Sequence, residues 1–299
     1  MSIDDLQNWL GQGFLDSMGE WFSDVMPKLF SSDWLFGNGL FYNLGIHIWN
    51  WALSIIGLVA STTPQNFSSE AWVYVTTTVL DFSMGVAAAL LNIFYLVGII
   101  RLSTNLKEAF TLEVFVDNII KMLLGNLLIL YGIDLIIILF DIAAISADAF
   151  LLDVVTFAQS DVDAGSIMFN FVFGILFMVI CLVCAAMIFM TLYNRYLWLY
   201  MLVGVYPFAF CTLPGGRGVN STASAWTRTF ISKCFEIVVI AMAVSIASRM
   251  CNAIDFGTMP PTYAQLDGAL QTIQSIATMI ILTASVKGTD LFMRRAFGL

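Results

Sequence analysis

The apolar residues of this chain gather into long runs with the i, i+3, i+4 period of helices, without the strict alternation of barrel strands. Five runs approach the roughly 20 residues that a bilayer crossing needs: residues 80–100, 118–140, 167–190, 234–250 and 270–286. A further apolar stretch, residues 196–213, follows the third run after the polar cluster Tyr193, Asn194, Arg195, Tyr196. It carries Pro207 and leads into Pro214, Gly215 and Gly216, which predicts an interrupted helix. The expectation is one crossing over residues 167–190, then a broken re-entrant or in-plane helix sheltered by its neighbours, because lipid cannot satisfy interrupted backbone.

The N-terminal part has a different pattern. Over residues 3–30, Ile3, Leu6, Leu10, Phe14, Met18, Trp21, Val25 and Leu29 share one helical face opposite Asp5, Asn8, Gln12, Asp16, Glu20 and Ser23. This predicts an amphipathic helix whose acidic polar face suits a partner protein or the outer leaflet better than anionic lipid. Residues 40–60 are long enough to span, yet mix Asn43, His47 and Asn50 with Trp49 and Trp51, as interfacial or protein-buried helices do. A sixth crossing here would move the acidic N-terminus to the cytoplasm. The expected division is an external helical region over 1–75 and a transmembrane domain over 76–299.

Composition agrees. Hydrophobic residues make up 60% and charged residues 11%, against soluble averages of about 45–50% and 25%. The fold class is therefore an all-α polytopic membrane helix bundle, with about five spans. The net charge of −9 misleads about partners, because the two signs are sorted along the chain. Acidic residues dominate residues 1–75 and 141–166; bases cluster at Arg101, Lys107 and Lys121, at Arg195, at Arg217, Arg228 and Lys233, and at Lys287, Arg294 and Arg295. Bases near helix ends mark the cytoplasmic side. Five crossings then place the N-terminus outside and the C-terminus inside, with Arg217, Arg228 and Lys233 available to an acidic cytoplasmic partner or anionic lipid.

Asp134 stands out, since a carboxylate within a span costs at least about 2.5–3.5 kcal/mol unless paired or hydrated. It lines an aqueous lumen, bonds another subunit, or reaches water at the outer interface. In the last span Gln271, Gln274, Ser275, Thr278 and Ser285 form one stripe while Ile273, Ile276, Ile280 and Ile281 face elsewhere. Such a stripe glues helices together or faces a channel. Cys181 and Cys184 form a C-x-x-C inside an apolar helix and read as packing residues, and the single histidine excludes a multi-histidine metal centre. With no phosphate-binding loop, nucleophile elbow, zinc motif or dinucleotide fingerprint, no enzymatic activity and no cofactor are expected.

The stretch Tyr193-x-Arg195-x-Leu197-x-Leu199-Tyr200-Met201, five residues and then Pro207, a Gly-containing basic loop and the helix after Lys233, resembles the C-terminal half of VirB6/TrbL-type conjugal transfer proteins. The closest likeness is to the compact form of Gram-positive conjugative elements. The resemblance implies an inner-membrane subunit of a bacterial type IV secretion system, which moves DNA–protein substrates or protein out of the cell. It further implies ring-like homo-oligomers and partners similar to VirB3, VirB4 and VirB8, with no catalytic residues. The alternative readings are a small-solute channel or permease subunit lined by Asp134, Gln271, Gln274 and Thr278, and a membrane anchor for a soluble complex.

Overall fold

The computed structural model describes residues 40–104, 112–150, 164–216, 221–253 and 267–298. The amphipathic helix expected over residues 3–30 and Arg217 lie outside the described residues. The elements in order are α1 (Leu40–Ser61), α2 (Pro64–Phe67), α3 (Ser69–Val73), a π-helical turn (Tyr74–Val79), α4 (Leu80–Thr104), α5 (Leu112–Asp148), α6 (Ala164–Phe210), a 3-10 turn (Leu213–Gly215), α7 (Ser221–Ala253) and α8 (Asp267–Ala296). No strand occurs among the described residues. Six stretches are helical, long and apolar enough to cross a membrane: Phe41–Ser61, Ser69–Arg101, Phe115–Asp148, Phe173–Phe210, Ser221–Cys251 and Thr272–Ala296. The chain is an all-α polytopic membrane protein.

Two details of the expected layout change. The break before Tyr196 is absent, and α6 runs 47 residues through to Phe210 with Pro207 inside it, more than twice the length a crossing needs. Proline at that position removes one ladder bond, and the helix closes normally beyond it, with the Cys211 N–H donating to the Pro207 carbonyl at 3.0 Å. The chain turns only at Leu213–Gly215 and leaves through Gly216, whose φ of 80° favours glycine. The second change is α1. It adds a sixth helix capable of spanning, and half of its most apolar window is buried against protein.

The chain forms two compact units. The first comprises Met1–Thr63, Ala144–Asn194 and Glu236–Phe292. In it Trp49 and Ile56 of α1 are fully buried, and the Tyr42 and Phe177 rings pack at 4.5 Å between centroids. Gly45 brings α1 against α6 so closely that a Cβ there would lie 2.8 Å from the Phe177 ring. Cys181 of α6 meets the Met279 sulfur of α8 at 3.4 Å. In α8 the polar face turns inward: Thr272, Thr278 and Thr283 are buried, whereas Ile273 and Ile280 are exposed. Met279, Leu282 and Val286 share that inward face, and Gln274, Ser275 and Ser285 of the expected stripe are half-buried.

The second unit comprises Pro64–Ala143, Arg195–Phe235 and Met293–Leu299. Its apolar centre joins Ala87 and Leu91 of α4, Ile129 of α5 and Cys211, with Phe94, Phe208 and Phe210 packed around them. An aromatic row continues from Phe210 to Trp226, Phe230 and Phe140, with centroid separations of 5.1, 5.0 and 5.7 Å. Val79, ending the π-helical turn, lies so close to Gly204 that a Cβ there would meet it at 2.8 Å.

Candidate functional site

Tyr196, Leu199, Val203 and Tyr206 recur at spacings of three and four on α6, and each is at most 1% exposed. That spacing turns one continuous stripe inward. Arg195, beside the stripe, is 3% exposed. Its Nε donates to the Lys233 carbonyl and its Nη2 to the Cys234 carbonyl, both at 3.3 Å. The guanidinium carbon lies 5.1 Å from the centroid of the Tyr196 ring, within cation–π range, and that ring stacks on Phe67 at 3.9 Å and 9°. Nη1 has no hydrogen-bond partner.

The other polar groups of this segment also reach backbone on distant elements. The Tyr200 hydroxyl donates to the Pro64 carbonyl at 2.7 Å, the Tyr206 hydroxyl to the Ile129 carbonyl at 3.0 Å, and the Trp226 indole to the Leu202 carbonyl at 3.2 Å. Arg101 donates to the Gly215 carbonyl at 3.3 Å, fastening α4 to the turn after α6. Tyr193 falls in the first unit, its ring stacked on Phe189 at 5.9 Å. Chemically, Arg195, Tyr200 and Tyr206 act as clamps. Each donates to a carbonyl on another element, an interaction of about 0.5–1.5 kcal/mol for a neutral donor and about 1.5–3 for a charged one.

Lys233 was expected as a surface contact, but it is only 7% exposed. About three turns of α7 precede it, and it sits with residues of α6 and α8, Trp198 and Arg294. It lines a pocket of about 160 Å³ together with Trp198, Thr229, Ser232 and Arg294. Ser232 is buried, while Trp198 and Arg294 are exposed. Arg228, on the same helix, is exposed.

Asp134 is exposed on α5. It belongs to a series, Ile120, Leu124, Leu127, Tyr131, Asp134, Ile138 and Asp141, that repeats at alternating steps of four and three with every member exposed. No base is paired with Asp134 among the described residues. Gln274 and Thr278 lie on α8 in the first unit, Thr278 buried and donating to the Gln274 carbonyl at 2.9 Å. Asp134 lies in the second unit, and the side chain of Gln271 lies outside what the structure describes.

Several site residues escape a reading of the sequence alone: Tyr206 and Trp226 as clamps, and Trp198, Thr229, Ser232 and Arg294 as pocket walls. The three-and-four spacing from Tyr196 to Tyr206 was the available signal for the first; the pocket draws on three helices and has no local signature. All five cysteines are free and buried, and no cluster of three or more metal-ligating side chains occurs among the described residues. No protein-family model, curated protein or solved structure matches the chain.

Proposed function

We propose that this protein is a structural subunit of the inner-membrane complex of a type IV secretion, or conjugation, system, and that it assembles as a homo-oligomer to scaffold export of DNA–protein or protein substrates. The assignment to that system rests on the resemblance of residues 193–207 and the helix that follows. The observation that carries the scaffold reading is the exposed seam on α5 with Asp134 and Asp141 in it. A 3.5-residue repeat is the spacing of a helix–helix seam. Asp134 lies seven residues, about 10 Å of helix rise, from Asp141, with the apolar run Leu135–Phe140 between them. Facing lipid at that depth is costly, and a second copy of the chain removes the cost by supplying polar partners and packing against the seam's apolar members.

The segment around Arg195 supports the same reading. Its polar side chains are engaged with backbone carbonyls, which suits a rigid scaffold that leaves energy conversion to an ATPase partner. Six crossings would gather the bases: Arg101, Lys121, Arg228, Lys233, Lys287, Arg294 and Arg295 fall on one side and Glu70, Asp141 and Asp148 on the other, with Arg249 the exception among these bases, while Glu113, Asp117, Asp290 and the acidic N-terminal residues share the basic side, in place of the external N-terminus expected from five crossings. We place the basic side in the cytoplasm of a bacterium, together with both ends of the chain, and assign exposed Arg228 to contact with a cytoplasmic partner.

The test is isolation of the tagged protein from its native membrane in mild detergent. Copurification of a VirB4-like ATPase and a single-span VirB8-like protein, with VirB3-like subunits, is the expected outcome. A monomer that moves a small solute when reconstituted alone would sink the proposal and favour the permease alternative.

A further inference from the structure

We infer that the exposed seam on α5 seats against α4 of the next copy of the chain, on the stripe Asp81, Gly85, Ala88 and Asn92. This inference rests on the scaffold reading and names the surface that meets the seam. The four residues follow one another at steps of four, three and four, and every one is exposed, so α4 carries the same 3.5-residue repeat as the α5 seam. Its side chains are the complement in size. The α5 seam is bulky, with Leu124, Leu127 and Tyr131, whereas the α4 stripe is small at its centre, and a Cβ on Gly85 would meet nothing within 4 Å. Small residues let membrane helices approach closely. Asp81 lies within the Ser69–Arg101 span, where a carboxylate facing lipid is costly.

The two surfaces also match in depth. Within one chain α4 and α5 pack antiparallel, with Gly98 against Asn118 and Leu91 against Gly125, and Ala87 shares a core with Ile129. Carried along both helices, that register sets Gly85 level with Tyr131, Asn92 with Leu124, Ala88 within one residue of Leu127 and Asp81 within one residue of Asp134. Copies arranged about an axis along the membrane normal share one depth, so residues at one level face one another. Tyr131 then covers Gly85, and Leu127 covers Ala88. Asp81 and Asp134 meet as like charges, and the hydroxyls of Tyr131 and of exposed Thr78, each about one turn away, supply donors to both carboxylates. Pairing two α5 seams would instead set Tyr131 against Tyr131 and Asp134 against Asp134, with no small surface to receive the bulky one. A contact between two different patches is heterologous, and it builds a ring where the rotation closes.

Photo-cross-linking of the full-length protein in its native membrane tests it. All five native cysteines are buried, so a benzophenone maleimide reacts at Tyr131→Cys alone. Irradiation should yield a cross-linked dimer whose adduct maps by mass spectrometry to residues 81–92 of the second copy. Gly85→Leu should lower that yield about tenfold, equivalent to 1.4 kcal/mol, whereas Gly85→Ala, which keeps the stripe small, should retain most of it. Gly85 is exposed with open space around it, so leucine has room there in the single chain. Ala88→Leu, at another exposed position, repeats the test should that variant fail to fold, and the adduct map needs neither. An adduct on α5 or elsewhere in the second copy, or a parent yield from a folded leucine variant, would overturn the α4 contact and leave the scaffold reading standing. No cross-linked dimer at all would overturn both.

Discussion

Tyr206 donates its phenol to the Ile129 carbonyl at 3.0 Å, and the same ring covers Gly132, where a Cβ would lie 2.8 Å from Cε2. One side chain thus joins α6 to α5 by a hydrogen bond and by a contact that only glycine permits. Tyr206→Phe should lower stability by about 1 kcal/mol, the usual net contribution of such a bond. Gly132→Ala should cost about 1–3 kcal/mol, because the ring must move within a packed interior. Gly85→Ala, with nothing within 4 Å of the added methyl, should be neutral or slightly stabilising. Thermal unfolding in detergent ranks the three, and equal Tm values for the Gly132 and Gly85 variants would refute the contact.

How much of this was legible in the sequence depends on how far apart the partners lie. The apolar runs announced the spanning helices, and the contrast of Gln274 and Thr278 with Ile273 and Ile280 announced the two faces of α8. The end expected near Arg195 was wrong for a physical reason. A charge amid apolar residues resembles a helix boundary unless its partners are known, and those partners are the carbonyls of Lys233 and Cys234, 38 and 39 residues further along. Burial of Lys233 was hidden for the same reason, since α6, α7 and α8 meet around it only in the fold. Asp134 could be singled out from its apolar surroundings, but its place in an exposed seam required the burial of Ile129, Gly132 and Ile136 on the other face.

Arg195 should prove intolerant of lysine. Its fork reaches two successive carbonyls and still lies over Tyr196, a geometry that a single ammonium cannot reproduce. Arg195→Lys should lose about 1.5–3 kcal/mol, the range for hydrogen bonds to a charged group. Arg195→Met removes the buried charge together with the orphaned Nη1, so its loss should be smaller, as when buried ionic groups give way to well-packed apolar ones. Denaturant titrations of both variants decide the order; a lysine variant as stable as the parent would show that the fork is unimportant.

The cysteines give a test of sidedness without prior engineering of the background. All five are buried, so a membrane-impermeant maleimide should leave the folded protein in intact cells unlabelled and react after denaturation. Ser69→Cys and Thr222→Cys introduce exposed positions at the starts of α3 and α7. Ser69→Cys should label from outside and Thr222→Cys only after the cells are opened. A reporter fused to the N-terminus then separates six crossings from five, because α1 as a crossing puts that end in the cytoplasm and α1 as an interfacial helix leaves it outside.

Asp134 provides the sharpest test of assembly. If the α5 seam meets a second copy, Asp134→Leu should change oligomer formation while leaving the fold of the single chain intact, since the side chain is exposed and no base is paired with it among the described residues. The opposite follows if the carboxylate faces only lipid and water: leucine would remove an insertion cost of about 2.5–3.5 kcal/mol and simply stabilise the monomer. Asp134→Asn separates charge from hydrogen bonding and should retain most of the association if an amide can serve as donor and acceptor across the seam. Cross-linking through Tyr131→Cys, at an exposed position one turn earlier in the same seam, reads the outcome. Dimers in the parent background, fewer with Asp134→Leu and a near-parent yield with Asp134→Asn, are expected; an identical yield in all three would mean that this carboxylate contributes nothing to assembly.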